Sequence, residues 1–172
     1  MNEVIEDFKN EVTDLYTIYK FNVFGLHLMA QKWDESKLIN PNLEEFVLMD
    51  KNHGYELAGK KDEIEQGIRG NGTYYKKLCG VFLASMYQLW EDKYRGKIAS
   101  SIGLTKNDVK SELFGEIGKI RHAIVHNNFE PTQEIKNLKI LDFIYTSGVF
   151  NLNIDSMSVI FKMIVKELNN LK

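Results

Sequence analysis

The stretch Phe114-Gly115-Glu116-Ile117-Gly118-Lys119-Ile120-Arg121-His122-Ala123-Ile124-Val125-His126-Asn127-Asn128 decides how this chain is read. At about 100° per residue, Val109, Leu113, Ile117, Ile120 and Ile124 fall within roughly 80° of one another. That spacing predicts an amphipathic helix with one apolar stripe turned to a core. Upstream, Thr105-Lys106-Asn107-Asp108 reads as a helix start, with Thr105 as cap and Asp108 three residues on. Asn127-Asn128, with Pro131 beyond, reads as the stop. The expected helix therefore runs from Thr105 to His126.

Outward from it, the same periodicity recurs. Val4, Phe8, Val12, Leu15, Tyr19, Val23 and Leu26 keep helical steps and predict a first helix from about Asn2 to Lys32. His27, at its end, reads as a packing or capping residue. Tyr75, Leu78, Phe82, Met86, Leu89, Trp90, Tyr94 and Ile98 predict a long helix from Thr73 to Ser100, with Glu91 and Arg95 as a surface ion pair. Between them, the segment from Trp33 to Gly72 holds Pro41 and several glycines, and short helices are expected near Asn42 to Met49 and Tyr55 to Ile68. Beyond Pro131, Gln133 to Leu141 suggests a further helix. Phe143-Ile144-Tyr145 and Val149-Phe150-Asn151-Leu152 flank Thr146-Ser147-Gly148, a hairpin pattern. Asp155 is the expected cap of a last helix carrying Val159, Met163, Val165 and Leu168. The fold class expected is all-α, a helical bundle of about four to five main helices with a small C-terminal β-hairpin. The expectation is one domain, 1–172, with an irregular insertion at about 33–72.

The 172 residues are 44% hydrophobic and 27% charged, which is globular composition and not that of a fibre or a disordered tail. No apolar run approaches the roughly 18 residues needed to span a bilayer. Met1-Asn2-Glu3-Val4-Ile5-Glu6-Asp7 is acidic and reads as neither a secretory signal nor a transit peptide. The lone Cys79 sits among apolar residues as an expected buried thiol, which suggests a reducing, cytoplasmic setting. A net charge of -2 argues against a protein that coats nucleic acid without specificity. Lys60-Lys61, Lys76-Lys77 and Arg95-Gly96-Lys97 could line a local basic cleft, but each pair taken alone reads first as solvated surface residues.

The second face of the helix that ends at His126 carries the chemistry. Opposite the core stripe lie Ser111, Gly115, Gly118, His122 and Val125, with Arg121 and His126 on either flank. A glycine inside a helix is about 1 kcal/mol less favourable than alanine. Two on one face point to something that approaches the backbone, either a helix of the same chain or the same helix of a second copy. Self-association would put two copies of Arg121 and His126 across one cleft.

His122 and His126 have the four-residue spacing of two metal ligands, but Ala123 stands where the zinc-protease pattern needs glutamate and no third ligand is near. No metal and no cofactor are expected. No nucleophile elbow or phosphate-binding loop occurs. Arginine with histidine is different. Histidine can take a proton from a ribose hydroxyl or deliver one to a leaving oxygen. Arginine stays charged and forks two donors onto a phosphate. Together they suffice for RNA cleavage without a metal, in which the 2′-hydroxyl attacks its own phosphodiester. DNA lacks that hydroxyl.

The string Arg121-His122-Ala123-Ile124-Val125-His126-Asn127 resembles the Arg-x4–6-His motif of the HEPN superfamily, all-helical domains of bacterial toxins, phage-defence systems, CRISPR-associated nucleases and eukaryotic RNases. Phe114 to Ile120 resembles that family's lead-in, and Met86 to Arg95 its preceding long helix, so the likeness covers roughly Thr73 to Asn128. The resemblance implies Arg121 and His126 as the catalytic pair, His122 as an orienting or assisting group, and Asn127 as a phosphate or helix-cap contact. It implies a homodimer, for which the helix face of Ser111, Gly115, Gly118 and Val125 described above is the expected dimer face. One toxin branch carries a modified tyrosine two residues past the motif histidine, where this chain has Asn128.

Three functions remain open on the sequence. The first is a metal-independent endoribonuclease, a toxin or phage-defence effector whose partners are RNA, a second copy and an antitoxin or other defence protein, with no membrane or DNA partner. The second is a catalytically inert domain of that fold binding RNA, a nucleotide or a protein. The third is a helical interaction module in which Arg121 and His126 form ion pairs or cap carbonyls.

Overall fold

Long runs free of proline become long helices in the computed structural model, which describes residues 2–50 and 52–171. Helix α1 spans Asn2–Ile39. A hairpin of β1 (Glu45–Asp50) and β2 (Tyr55–Lys60) follows, then α2 (Lys61–Ile68) and α3 (Thr73–Gln88). α3 passes without a break into a π-helical stretch, Leu89–Tyr94, and then α4 (Arg95–Ser101). α5 is Glu112–His126 and α6 is Ile154–Asn170, with short 3-10 turns and a hairpin of β3 (Tyr145–Thr146) and β4 (Val149–Phe150) between them. The fold is all-α, with a small C-terminal hairpin as expected.

The chain forms two compact units, Met1–Tyr19 with Cys79–Lys172, and Lys20–Leu78. In the first, Ile5, Phe8 and Val12 of α1, Leu83 and Met86 of α3, Leu113, Ile117 and Ile120 of α5, and Ile160, Ile164 and Leu168 of α6 are buried. An aromatic group completes this core. The Phe8 ring stacks on Tyr94 at 4.6 Å, and Trp90 stacks on Phe114 at 4.3 Å and 8°. Such pairs add about 0.5–1.5 kcal/mol to what burial supplies. The wide π turn carries Trp90 and Tyr94 inward while Glu91 and Arg95 form an ion pair at 2.9 Å. The Cys79 thiol is buried, as expected, 3.2 Å from the Tyr19 hydroxyl.

The second unit differs from the sequence expectation. Residues 45–49, expected as part of a helix, form β1, antiparallel to β2 with Glu45 opposite Lys60. Phe46 is 5% exposed and its neighbour Val47 50%, the period-2 alternation of a half-buried strand. Phe46 packs edge-on to Trp33 at 5.5 Å, in a cluster with Ile64 and Ile68. The Trp33 indole donates to Glu65 at 3.1 Å. The expected helix from Tyr55 exists only in its second half, as α2.

Three further expectations are corrected. α1 runs seven residues past the expected Lys32, because no breaker stands before Asn40 and Pro41. Gln133 to Leu141 is not a helix. Only Ile135–Asn137 makes a 3-10 turn, and the backbone after it is bonded to a side chain of α5 (below). Asn153, not Asp155, caps α6, in a reciprocal box with Ser156. The C-terminal hairpin turns on Ser147 (φ 53°) and Gly148 (φ 82°), both left-handed, the geometry a two-residue hairpin demands.

Candidate active site

α5 begins at Glu112, not at Thr105. The Thr105–Asp108 pair closes on itself: the Asp108 carboxylate accepts from the Thr105 N–H at 2.9 Å and from its hydroxyl at 2.6 Å, making a turn with no helix behind it. Those two bonds hold the Asp108 carboxyl below its ordinary range. The true cap is Ser111. Its hydroxyl oxygen accepts the Phe114 N–H at 3.3 Å and its O–H donates to Glu167 at 2.6 Å, which joins the start of α5 to α6.

Along α5, Glu116 is a charged residue on the buried side, 7% exposed. Its carboxylate accepts three backbone N–H groups, from Lys139 (2.6 Å), Ile140 (2.9 Å) and Leu141 (2.8 Å). Three charge-assisted bonds compensate the desolvation of the carboxylate and fix the 138–141 segment against the helix.

The sequence stop is real. Asn127 is the C-cap and donates its N–H to the Ala123 carbonyl at 3.2 Å. Asn128 (φ 48°) and Phe129 (φ 66°) are both left-handed, and Phe129 also donates to the Ala123 carbonyl, at 3.1 Å. A left-handed phenylalanine stores strain, of order 1–3 kcal/mol, which tertiary contacts must offset. The contact is visible: the Phe129 ring lies where a Cβ on Gly80 of α3 would stand, 2.6–2.7 Å from that point. Gly80 thus makes room for the ring that anchors the chain just after His126.

On the outer face, Arg121 and His126 meet. Arg121 Nη1 lies 3.3 Å from His126 Nε2. A guanidinium can only donate, so a hydrogen bond between them has Nε2 as the acceptor. The His122 ring stands 4.9 Å from that of His126. Arg121 is half-buried; both histidines are exposed. Among the described residues no group of three or more His, Cys, Asp or Glu side chains is placed to hold a metal ion.

The four residues assigned to a dimer face have different surroundings. Ser111 is engaged in capping and with Glu167. A Cβ on Gly118 would meet the Tyr87 ring of α3 at 2.9–3.0 Å, so the close approach there comes from the same chain. A Cβ on Gly115 would meet nothing within 4 Å, and Val125 is 51% exposed. Only these last two are open.

Tyr87, which carries no signal in the sequence, also packs on α5. Burial raises the Tyr87 phenol above its ordinary range, and the charges of Glu91, Arg95, Arg121 and Lys106 all reach it. Glu91 bonds both Arg95 and Lys106, each at 2.9 Å, and Arg95 Nε donates to the Val109 carbonyl at 2.8 Å. Of the basic pairs noted in the sequence, Arg95 is thereby an ion-pair partner, Lys97 lies over the Tyr94 ring, and Lys61 pairs with Glu44.

Comparison of the chain with family models, with curated proteins and with solved structures finds no match.

Proposed function

We propose that this protein is a metal-independent endoribonuclease acting through Arg121 and His126, as its resemblance to the HEPN superfamily implies. The observation that carries the reading is the 3.3 Å approach of Arg121 Nη1 to His126 Nε2 on an exposed helix end. When Arg121 turns from Nε2 to the phosphate, the Nε2 lone pair is free to act as the base. It takes the proton of a ribose 2′-hydroxyl, whose oxygen attacks the adjacent phosphorus. The bond from phosphorus to the 5′-oxygen breaks, that oxygen takes a proton from solvent, and a 2′,3′-cyclic phosphate remains. Arg121 donates to the non-bridging oxygens as charge gathers on them. His122 is beside this pair and assists proton exchange; Asn127 is positioned at the helix end to meet the strand. A second copy bound at the open Gly115 and Val125 positions would bring two such pairs together. A toxin or phage-defence role, with an antitoxin or other defence protein as partner, belongs to the same reading.

The test incubates purified protein with RNA in EDTA. The native protein is expected to cut, and Arg121→Ala and His126→Ala are each expected to lose about a hundredfold or more of the rate. Cleavage unchanged in both variants sinks the assignment. The exposure of both histidines favours a second reading, a binding domain of the same type without catalysis. Saturable RNA binding with no products would select it.

A further inference from the structure

The charges around Tyr87 mark more than a packing contact. The ring rests on α5 at Gly118, where an alanine Cβ would stand 2.9 Å from ring carbon and 3.0 Å from the hydroxyl oxygen. Gly118 is one turn before Arg121 on the same helix. The phenol at Gly118 therefore lies one turn from the residues of α5 that carry Arg121 and His122. The charge of Arg121 is among those that reach the phenol. Beside the burial that raises the phenol, the charges of Glu91, Arg95, Arg121 and Lys106 reach it, and Glu91 is bonded to Arg95 and Lys106. Among the described residues, no hydrogen bond ties down the Tyr87 hydroxyl.

We propose that Tyr87 is a substrate-binding residue of the Arg121/His126 site, its hydroxyl donating to a non-bridging oxygen of the RNA phosphate that Arg121 engages. This rests on the ribonuclease reading for the identity of the substrate. A phenol that stays neutral is a donor that adds no charge, so it can orient a phosphate without adding to non-specific attraction. Glycine at position 118 lets the phenol come down to the level of the helix backbone. The ligand class is the anionic backbone of a single RNA strand.

The test is Tyr87→Phe, which keeps the ring on Gly118 and deletes only the hydroxyl. The probe is a labelled single-stranded 2′-O-methyl RNA, which the protein can bind but not cut by 2′-hydroxyl attack. Affinity is measured against salt concentration, with thermal melting as the check on folding. The variant is expected to bind roughly tenfold more weakly, the loss of one hydrogen bond to a charged group. Its salt slope and melting temperature are expected to match the native protein. Arg121→Ala, by contrast, lowers the slope by about 0.7. Native affinity in Tyr87→Phe overturns the proposal, as does weakening accompanied by a lower melting temperature. Binding of the probe without cleavage of ordinary RNA removes the ribonuclease reading and leaves this one to be judged on the variant's affinity. No binding of the probe by native protein overturns it outright.

Discussion

Two glycines three residues apart on α5 have different environments. At Gly115 there is open space, so alanine is free to improve helix propensity. Gly115→Ala is expected to raise stability by about 1 kcal/mol in a monomer, read by denaturant unfolding. At Gly118 the Tyr87 ring occupies the place of a side chain, and Gly118→Ala is expected to gain nothing or lose stability. Equal gains at both positions would contradict the described contact. The sequence showed that these glycines share a face but not what each one meets. Cys79 was easier to read: apolar neighbours announced a buried thiol, and burial pushes its pKa up. It is expected to react with a thiol reagent at neutral pH only once the protein is unfolded. Fast labelling of native protein would contradict that.

At the level of elements, long periodic segments were legible and short ones were not. α1, α3 and α5 announced themselves through spacings of three and four. The β1–β2 hairpin did not, because a short apolar run such as Glu45-Phe46-Val47-Leu48-Met49 fits either period. The start of α5 was misplaced because Thr105 and Asp108 satisfy one another locally in the way a cap would, while Ser111 depends on Glu167, far along the chain. The segment after Pro131 was misread for a similar reason. It is held by Glu116, 23 to 25 residues earlier, and not by its own periodicity. That anchor is testable. Glu116→Ala leaves three backbone N–H groups without their acceptor and is expected to cost about 3 kcal/mol or more in unfolding experiments. A cost under about 0.5 kcal/mol, the size of an ordinary surface change, would show that the carboxylate is not what fixes the 138–141 segment.

For the whole molecule, the Arg121/His126 pair was legible because both residues lie on one short stretch, and a helix converts their spacing of five into contact. Tyr87 was not legible, since its place at the site depends on how α3 packs on α5. The proposed homodimer belongs to this scale too. Light scattering is expected to give twice the chain mass of 20.0 kDa. Val125→Glu, a charge on the open face, is expected to return the monomer mass and to reduce RNA cleavage. A native protein that stays monomeric at high concentration would contradict that arrangement while leaving the pair itself in place.

The central claim is chemical, and the ends of the cut RNA test it most directly. Native protein is incubated with single-stranded RNA in EDTA and the products are analysed by mass spectrometry. Fragments ending in a 2′,3′-cyclic phosphate paired with free 5′-hydroxyls are expected, with no cutting of DNA of the same sequence. Fragments with 5′-phosphates, cleavage that requires a divalent metal, or intact RNA at high enzyme concentration would contradict it.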